Sequence, residues 1–549
     1  MDRRTLLAIA LMLVAAILPT LLFPPKRPVR PAAVAADSLR RDTTQGAEQA
    51  AVPPPPAAAR ASLPEARPDT GGEQRVTVTS PLYQLTFSTQ GARLVGAEPV
   101  QYQSFARGDR GPAQLIPSPS EFLSYRLAVG TDTVSLADWH FQPSANELRV
   151  GPEGAALDWV AQRGPVTVRL RYGFIPTDYA FHVDGEISGL GASGGLVLIG
   201  LGPRLRGVDA DSVSDIRSYG VVTKAGGTQN VTFGSLAPDQ RRELAGPFEW
   251  VAIKSKYFMA ALMTLEDSIP RIGGAVAVGG VKEGKYATHA QVSASLAAPG
   301  GKFRFAMYVG PQEYRRLAHL GHDLEDINPY GWILRPVIRP FSIAIVQILL
   351  WMHDVMSLAY GWVLILFGLA VRVLLWPLNQ KAMKSSVAMQ AIQPEIKALQ
   401  DRLKNDPQKM QQELFKLYKQ HGVNPVGGCL PMLIPMPVLF ALFFVFANTI
   451  EFRGVPFLWL PDLSRADPLY IIPLLMGLSM YGVSKIGQIG LPPNPQTKMM
   501  LYMMPVMFTV LFLNFSSGLN LYYAVSNIAS IPQQWLIARE RQRRLGKSG

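Results

Sequence analysis

Cysteine is almost absent: the 549-residue chain carries one, Cys429, so no intramolecular disulfide can form. It falls in an apolar stretch rich in glycine and proline, the setting of a buried, inert thiol. Histidine is scarce, with seven in all and none in the last hundred residues. No HExxH helix, nucleophile elbow or cysteine–histidine pairing occurs, which removes the usual hydrolytic chemistries. Residues 477–480 (GLSM) lack the glycine after serine expected of an intramembrane serine protease, and no histidine base accompanies them. The formal charge of +13 is not gathered into a basic stripe with interleaved aromatics, so no nucleic-acid surface is expected. Residues 280–285 (GVKEGK) have the wrong glycine spacing for a phosphate loop, and Tyr286 stands where a serine or threonine is needed. His319, His322 and Asp323 lack the further ligands that a metal centre requires. No enzymatic activity, cofactor or metal is expected.

What the chain does have is long hydrophobic runs. The dominant one is residues 361–378, GWVLILFGLAVRVLLWPL, apolar at every position but Arg372. Its length is that of a membrane span, about 17–25 residues. An arginine there costs roughly 2.5–3.5 kcal/mol on insertion scales. At roughly 1.5 Å per residue it lies about 9 Å inside the nearer end of the run, deep for snorkelling. The sharper reading is a charge facing a water-filled cavity within a helix bundle.

In chain order, residues 1–23 place Arg3 and Arg4 before an apolar run longer than a usual signal-peptide core, which reads as an uncleaved anchor. Residues 24–74 form a Pro/Ala-rich tether that cannot bury enough apolar surface to fold. Within residues 75–328 the period changes to two, as in VTVRLRY at 166–172 and FRFAMYV at 303–309. Short strands with regular turn signals predict a β-sandwich, lying outside the cytoplasm because it follows an anchor whose N-terminus is inside. Residues 329–360 combine apolar positions with Arg335 and Arg339, the pattern of an amphipathic interfacial segment. After the span at 361–378, residues 379–422 predict a cytoplasmic helical hairpin, with eight lysines and arginines against four acids. Its basic residues include Lys381, Lys384, Lys397 and Arg402, and Pro394 opens its first arm. Residues 423–537 hold four more spans, and 538–549 form a basic, hence cytoplasmic, tail. The expected fold is a polytopic α-helical membrane protein of six spans with both termini inside, residues 24–340 mainly periplasmic, bearing the β-sandwich and the hairpin.

Within the spans Arg372 is joined by Asn520, Tyr522, Tyr523, Ser526, Asn527, Gln533 and Gln534 of the last run. Tyr523 and Asn527 share one helical face, as do Tyr522 and Ser526. Such residues often serve only as interhelical glue. One arginine with many neutral neighbours and no acid in a span instead suggests a hydrated pocket of net positive charge.

Long motifs in a fixed order carry a resemblance: NPYGW at 328–332, VRVLLWPL at 371–378, QPEIKALQ at 393–400, NPVGGCLPMLIPMP at 424–437, DPLYIIPLLMG at 467–477 and SSGLNLYYAVSN at 516–527. The chain resembles the YidC membrane protein insertases of the Gram-negative inner membrane, densely over the last 220 residues and more loosely over the sandwich, where EWVAIKSKYFMAA at 249–261 is the clearest segment. The resemblance implies an insertase and folding chaperone acting alone or beside the Sec translocon. Its five core helices would enclose a hydrophilic groove open to the cytoplasm and the lipid. The family's groove arginine maps onto Arg372 and its last-span tyrosine onto Tyr523, while a threonine one turn before the arginine is replaced by Gly368. Implied partners are nascent inner-membrane proteins, the bilayer, the ribosome and targeting factors; the size and position of the hairpin suit a docking arm for incoming chains or the ribosome, whereas the tail is short for the ribosome-binding role seen in some relatives. A client span would leave along Met432, Leu433, Met436, Met503, Met504, Met507 and Phe508, a polarizable surface suited to many partners. An anion transporter using Arg372 lacks the expected inverted repeat. A purely structural envelope platform would depend on the sandwich, whereas an insertase would largely survive its removal.

Overall fold

The computed structural model describes residues 72–129, 132–189, 195–265, 271–283, 286–328, 330, 334–380, 392–404, 406–422, 436–489 and 495–545. The expected anchor and most of the tether lie outside these residues. The chain divides into two compact units, Met1–Leu63 with Lys384–Leu430, and Pro64–Met383 with Pro431–Gly549. The helices are α1 (Ser212–Ser218), α2 (Tyr314–Leu320), α3 (Arg335–Met356), α4 (Tyr360–Leu374), α5 (Gln393–Arg402), α6 (Pro407–Gln420), α7 (Met436–Asn448), α8 (Ile471–Gly487), α9 (Pro495–Phe512) and α10 (Ser517–Leu545).

The larger unit begins with two sheets, of ten and nine strands, between Arg75 and Pro311. Alternation builds their outer strands: in Val166–Phe174 the valines, Leu170 and Tyr172 are buried while Arg169 and Arg171 face out. The central strands Trp250–Lys254 and Phe258–Met263 are buried at every position. Aromatic rings lock the sheets face to face. Phe87, on Tyr83–Ser88 of the first sheet, lies 5.3 to 6.3 Å from Tyr172, Phe174, Phe181 and Trp159 of the second. Each such pair adds about 0.5–1.5 kcal/mol beyond area burial.

One lysine is sealed into this core. Lys254 is 3% exposed, and its ammonium donates to Asn328 Oδ1. Asn328 donates in turn to Gln312 Oε1 at 2.9 Å, and Gln312 donates to the Phe258 carbonyl at 2.7 Å. Burial lowers the lysine from its ordinary value to about 7.

The sheets are riveted to the helical part of the same unit. Arg453, in the loop after α7, donates to Asp209 Oδ1 at 2.6 Å and to the carbonyls of Gln103 and Val208 at 3.0 Å. Its guanidinium also lies 4.5 Å from the Phe105 ring. Asp326 accepts from Arg335 at 2.9 Å and Arg339 at 2.6 Å, fixing the start of α3. Glu451 accepts from the Tyr314 backbone N–H at 3.1 Å, and burial pushes its carboxyl up to about 7.

Helices α3, α4, α7, α8, α9 and α10 share a second apolar core. Among the described residues only α3 is by itself both long enough and apolar enough to cross a membrane. It occupies the segment expected to be interfacial. Ile338, Ser342, Ile345, Val346 and Leu349 are buried along one face, while Val337, Phe341, Ile348 and Trp351 are exposed on the other. Helices α4, α7 and α8 and the apolar part of α9 are shorter, although helix resumes at 376–380 after a turn at Leu375, and α10, at 29 residues, is longer but less apolar.

In the smaller unit α5 and α6 pack through Ile396, Leu399, Leu414, Leu417 and Tyr418, all half-buried. His421 Nε2 lies 3.0 Å from Glu395 Oε2 across the arms, and Asp406 caps α6 by accepting from the Lys409 N–H. Lys397 and Arg402 are exposed, and Pro394 sits in the first turn of α5. Lys381 and Lys384 lie outside the described residues.

Candidate functional site

Arg372 takes its orientation from the packing of α4. Gly361, Leu364 and Gly368 are buried along one stripe, and Arg372 continues that stripe one turn further. Val373 and Leu374 are 71% and 76% exposed, so the outward face lies beside the arginine rather than beneath it. The arginine is half-buried and its Nε is buried without a hydrogen-bond partner. Among the described residues no carboxylate pairs with it. An unpaired guanidinium on an inward helix face needs water or a transient anion, because burying it bare is costly.

Helix α10 supplies the opposite wall. The Tyr522 ring lies 5.8 Å from Phe367. A Cβ added at Gly368 would meet Tyr522 and Val525 at 3.4 Å, an ordinary contact distance. Further along, Gln533 Nε2 donates to the Trp376 carbonyl at 3.1 Å. Residue 368 thus meets 522–525 while 376 meets 533, so the two helices run parallel. The same register sets Ser526, half-buried, at the level of Arg372.

The remaining expected residues point elsewhere. Asn527 Nδ2 donates to Ser479 Oγ of α8 at 3.3 Å, and Tyr523 packs edge-on against Phe512 of α9 at 5.6 Å. Asn520 is fully buried and donates to the Phe512 carbonyl at 3.0 Å, which holds the α9–α10 turn instead of facing Arg372. The structure therefore brings Tyr522 and Ser526 to the arginine's helix and distributes the other three among neighbouring contacts. Ser479, which the sequence raised only as a rejected protease serine, is the partner of the last helix that sequence reasoning missed. Its signal was its place among small residues, where Gly477 lets α8 approach Thr509 of α9 so closely that an added Cβ would fall 1.9 Å from Thr509 Oγ1.

On α9, Met503 and Met507 are exposed with Val506, Val510 and Leu511, one continuous apolar face. Met504, Phe508 and Met436 are half-buried. Met432 and Leu433 lie outside the described residues. Among the described residues no group of three or more metal-ligating side chains converges.

Comparison with known proteins is consistent with this architecture. A family model described as the YidC periplasmic domain matches residues 75–343, and one described as the 60Kd inner membrane protein matches residues 351–544. The membrane protein insertase YidC of Chlorobaculum tepidum is 31% identical, over 85% of this chain and 82% of that protein. That of Chlorobaculum parvum is 30% identical over 97% and 94%, and that of Geobacter sulfurreducens 31% identical over 84% and 85%. The chain belongs to the YidC family of inner-membrane protein insertases, which carry a periplasmic domain and are not enzymes.

Proposed function

We propose that this chain inserts newly made proteins into the inner membrane through a hydrated, positively charged groove between α4 and α10, alone or beside the Sec translocon. The single observation carrying this reading is Arg372, inward-facing, half-buried and without a carboxylate partner among the described residues. In this reading a short polar segment of the client enters the groove, and Arg372 attracts its acidic residues transiently. The client's apolar span then leaves along Met503 and Met507, assisted by Met436, Met504 and Phe508, driven by about 0.8 kcal/mol for each CH₂ entering lipid. Tyr522 and Ser526 line the groove, while Tyr523, Asn520 and Asn527 tie α10 to α8 and α9, with no nucleotide or metal required.

The proposed topology has six spans with both termini cytoplasmic and residues 24–340 mainly periplasmic. The parallel run of α4 and α10 supports it, because the second and sixth spans must both descend from outside to inside. α4 is about 22 Å long at roughly 1.5 Å per residue, and the further helix at 376–380 extends the segment toward the thickness of a hydrocarbon core. The α5–α6 hairpin, through Lys381, Lys384, Lys397 and Arg402, is the proposed docking arm for ribosomes or targeting factors.

A single substitution, Cys429→Ser, removes the only native thiol. In that background, cysteines introduced singly at Ser526, Met507 and Val160 can be tested for disulfide capture of a stalled single-span client carrying one cysteine. Capture at 526 and 507 and none at Val160, on the sheet domain, is expected. Equal capture at all three would refute the path.

A further inference from the structure

At the end of the helical core that adjoins the sheets lies a cavity of about 690 Å³. Its polar lining includes Arg217 of α1, Lys256 in the turn between Trp250–Lys254 and Phe258–Met263, and Arg465. Phe443 and Phe446 of α7, with Phe515 after α9, form its floor. We propose that this cavity binds the phosphate head of an anionic phospholipid, such as phosphatidylglycerol, with the acyl chains leaving along α9.

Charge and shape both support that occupant. Lys256 and Arg465 line the cavity beside one carboxylate, Asp211, which accepts from the Ser214 N–H as the cap of α1. Lys256 is 8% exposed, stands 4.8 Å above the Tyr257 ring and has no carboxylate within ion-pair distance among the described residues. Burial opposes its charge, but Tyr257, Asp209 and Asp211 hold the ammonium above its ordinary value, so Lys256 meets the cavity as a cation that an entering anion can pair. The floor is apolar instead: Phe443 and Phe515 pack at 5.4 Å. Leu511, 41% exposed, stands four residues before Phe515 in the sequence, and with Val510 and Met507 it forms the exposed apolar face of α9 at the end of the helix from which Phe515 follows. A phosphate without a tail would leave that floor wet, whereas an amphiphile matches both parts.

The proposal rests on the membrane placement above but not on insertion, because its test reads lipid retention alone. The full chain is released from micelles into a native mass spectrometer with equal phosphatidylglycerol and phosphatidylcholine. The wild type is expected to retain phosphatidylglycerol in excess, and Lys256→Gln/Arg465→Gln to lose about 25-fold of that preference, about fivefold for each cation at a membrane surface. The control Arg107→Gln/Arg110→Gln removes the same charge from exposed positions and should change nothing. Glycerol phosphate should not displace the lipid. Should the double variant fail to fold, Arg465→Gln alone, at an exposed side chain, should still cost about fivefold. Equal retention of both lipids, displacement by glycerol phosphate, or retention of an acidic client peptide in place of the lipid would overturn the assignment.

Discussion

Arg453 offers the sharpest test of how the sheet domain is held to the helical core. Its side chain is 2% exposed and that of Asp209 7%, so the ion pair is almost wholly removed from water. Arg453→Met keeps much of the aliphatic stem over Phe105 but removes three hydrogen bonds and strands the Asp209 carboxylate. Breaking a buried pair by removing one partner costs about 3–5 kcal/mol. Asp209→Asn alone keeps an acceptor for the guanidinium yet leaves its charge uncompensated, a loss in the same range. Because the partner left behind dominates each single loss, Arg453→Met/Asp209→Asn should cost less than the sum of the two by about 1–3 kcal/mol. Unfolding of the purified chain in a mild detergent, followed by tryptophan fluorescence, measures all three; Trp250 reports on the sheets. An Arg453→Met loss below about 1 kcal/mol, the ordinary range of an exposed pair, would refute the claim that this contact is a buried rivet.

Further outcomes follow from packing and titration. Gly477→Ala should destabilise by about 1–3 kcal/mol, since its Cβ meets Thr509 Oγ1 at 1.9 Å. Gly368→Ala should be neutral or stabilising by up to about 1 kcal/mol, because its Cβ finds only ordinary contacts inside a helix; equal effects at the two glycines in thermal melts would contradict the packing described. Lys254, lowered to about 7, binds fewer protons in the folded chain than in the unfolded one between pH 7 and its ordinary value near 10.4. Its contribution to stability therefore rises with pH across that window, by up to about 1.4 kcal/mol per pH unit. Lys254→Met should remove that slope from a pH series of melts, and an unchanged slope would show that the lysine stays charged. Glu451 works in the opposite direction: raised to about 7, its contribution is present below its ordinary value near 4.3 and is lost as pH climbs to 7, a trend that Glu451→Gln should abolish.

Much of the β architecture is legible in the sequence because a half-buried strand writes its environment at every second residue. Val166–Phe174 is of that kind. Trp250–Lys254 and Phe258–Met263 are harder, since strands buried on both faces lose the alternation and resemble any short apolar run. No local signal in the sequence marks Lys254 as buried, and its partner Asn328, 74 positions away, makes its burial tenable. Arg453 and Asp209 stand 244 positions apart and carry no local signal of their pairing.

The helical site divides in the same way. Helical spacing put Arg372 in an apolar run but could not say which way it faced; the buried stripe through Leu364 and Gly368 decides that. Tyr522 with Ser526 and Tyr523 with Asn527 share faces as their spacing requires. Which neighbour each face meets depends on the parallel pairing of α4 with α10 and on the close approach of α8 to α9, which are tertiary facts. Asn520 shows the limit: a polar residue in an apolar run proved to tie a turn.

The most direct measurement uses the purified chain in liposomes and a short single-span client with an acidic external tail. Protease protection of that tail is compared for the wild type, Arg372→Ala and empty vesicles. Protection by the wild type alone is the expected result, and it makes the groove charge part of insertion. Equal protection by both proteins would contradict the role given to Arg372. Protection no better than empty vesicles would contradict insertion of this client by the chain alone.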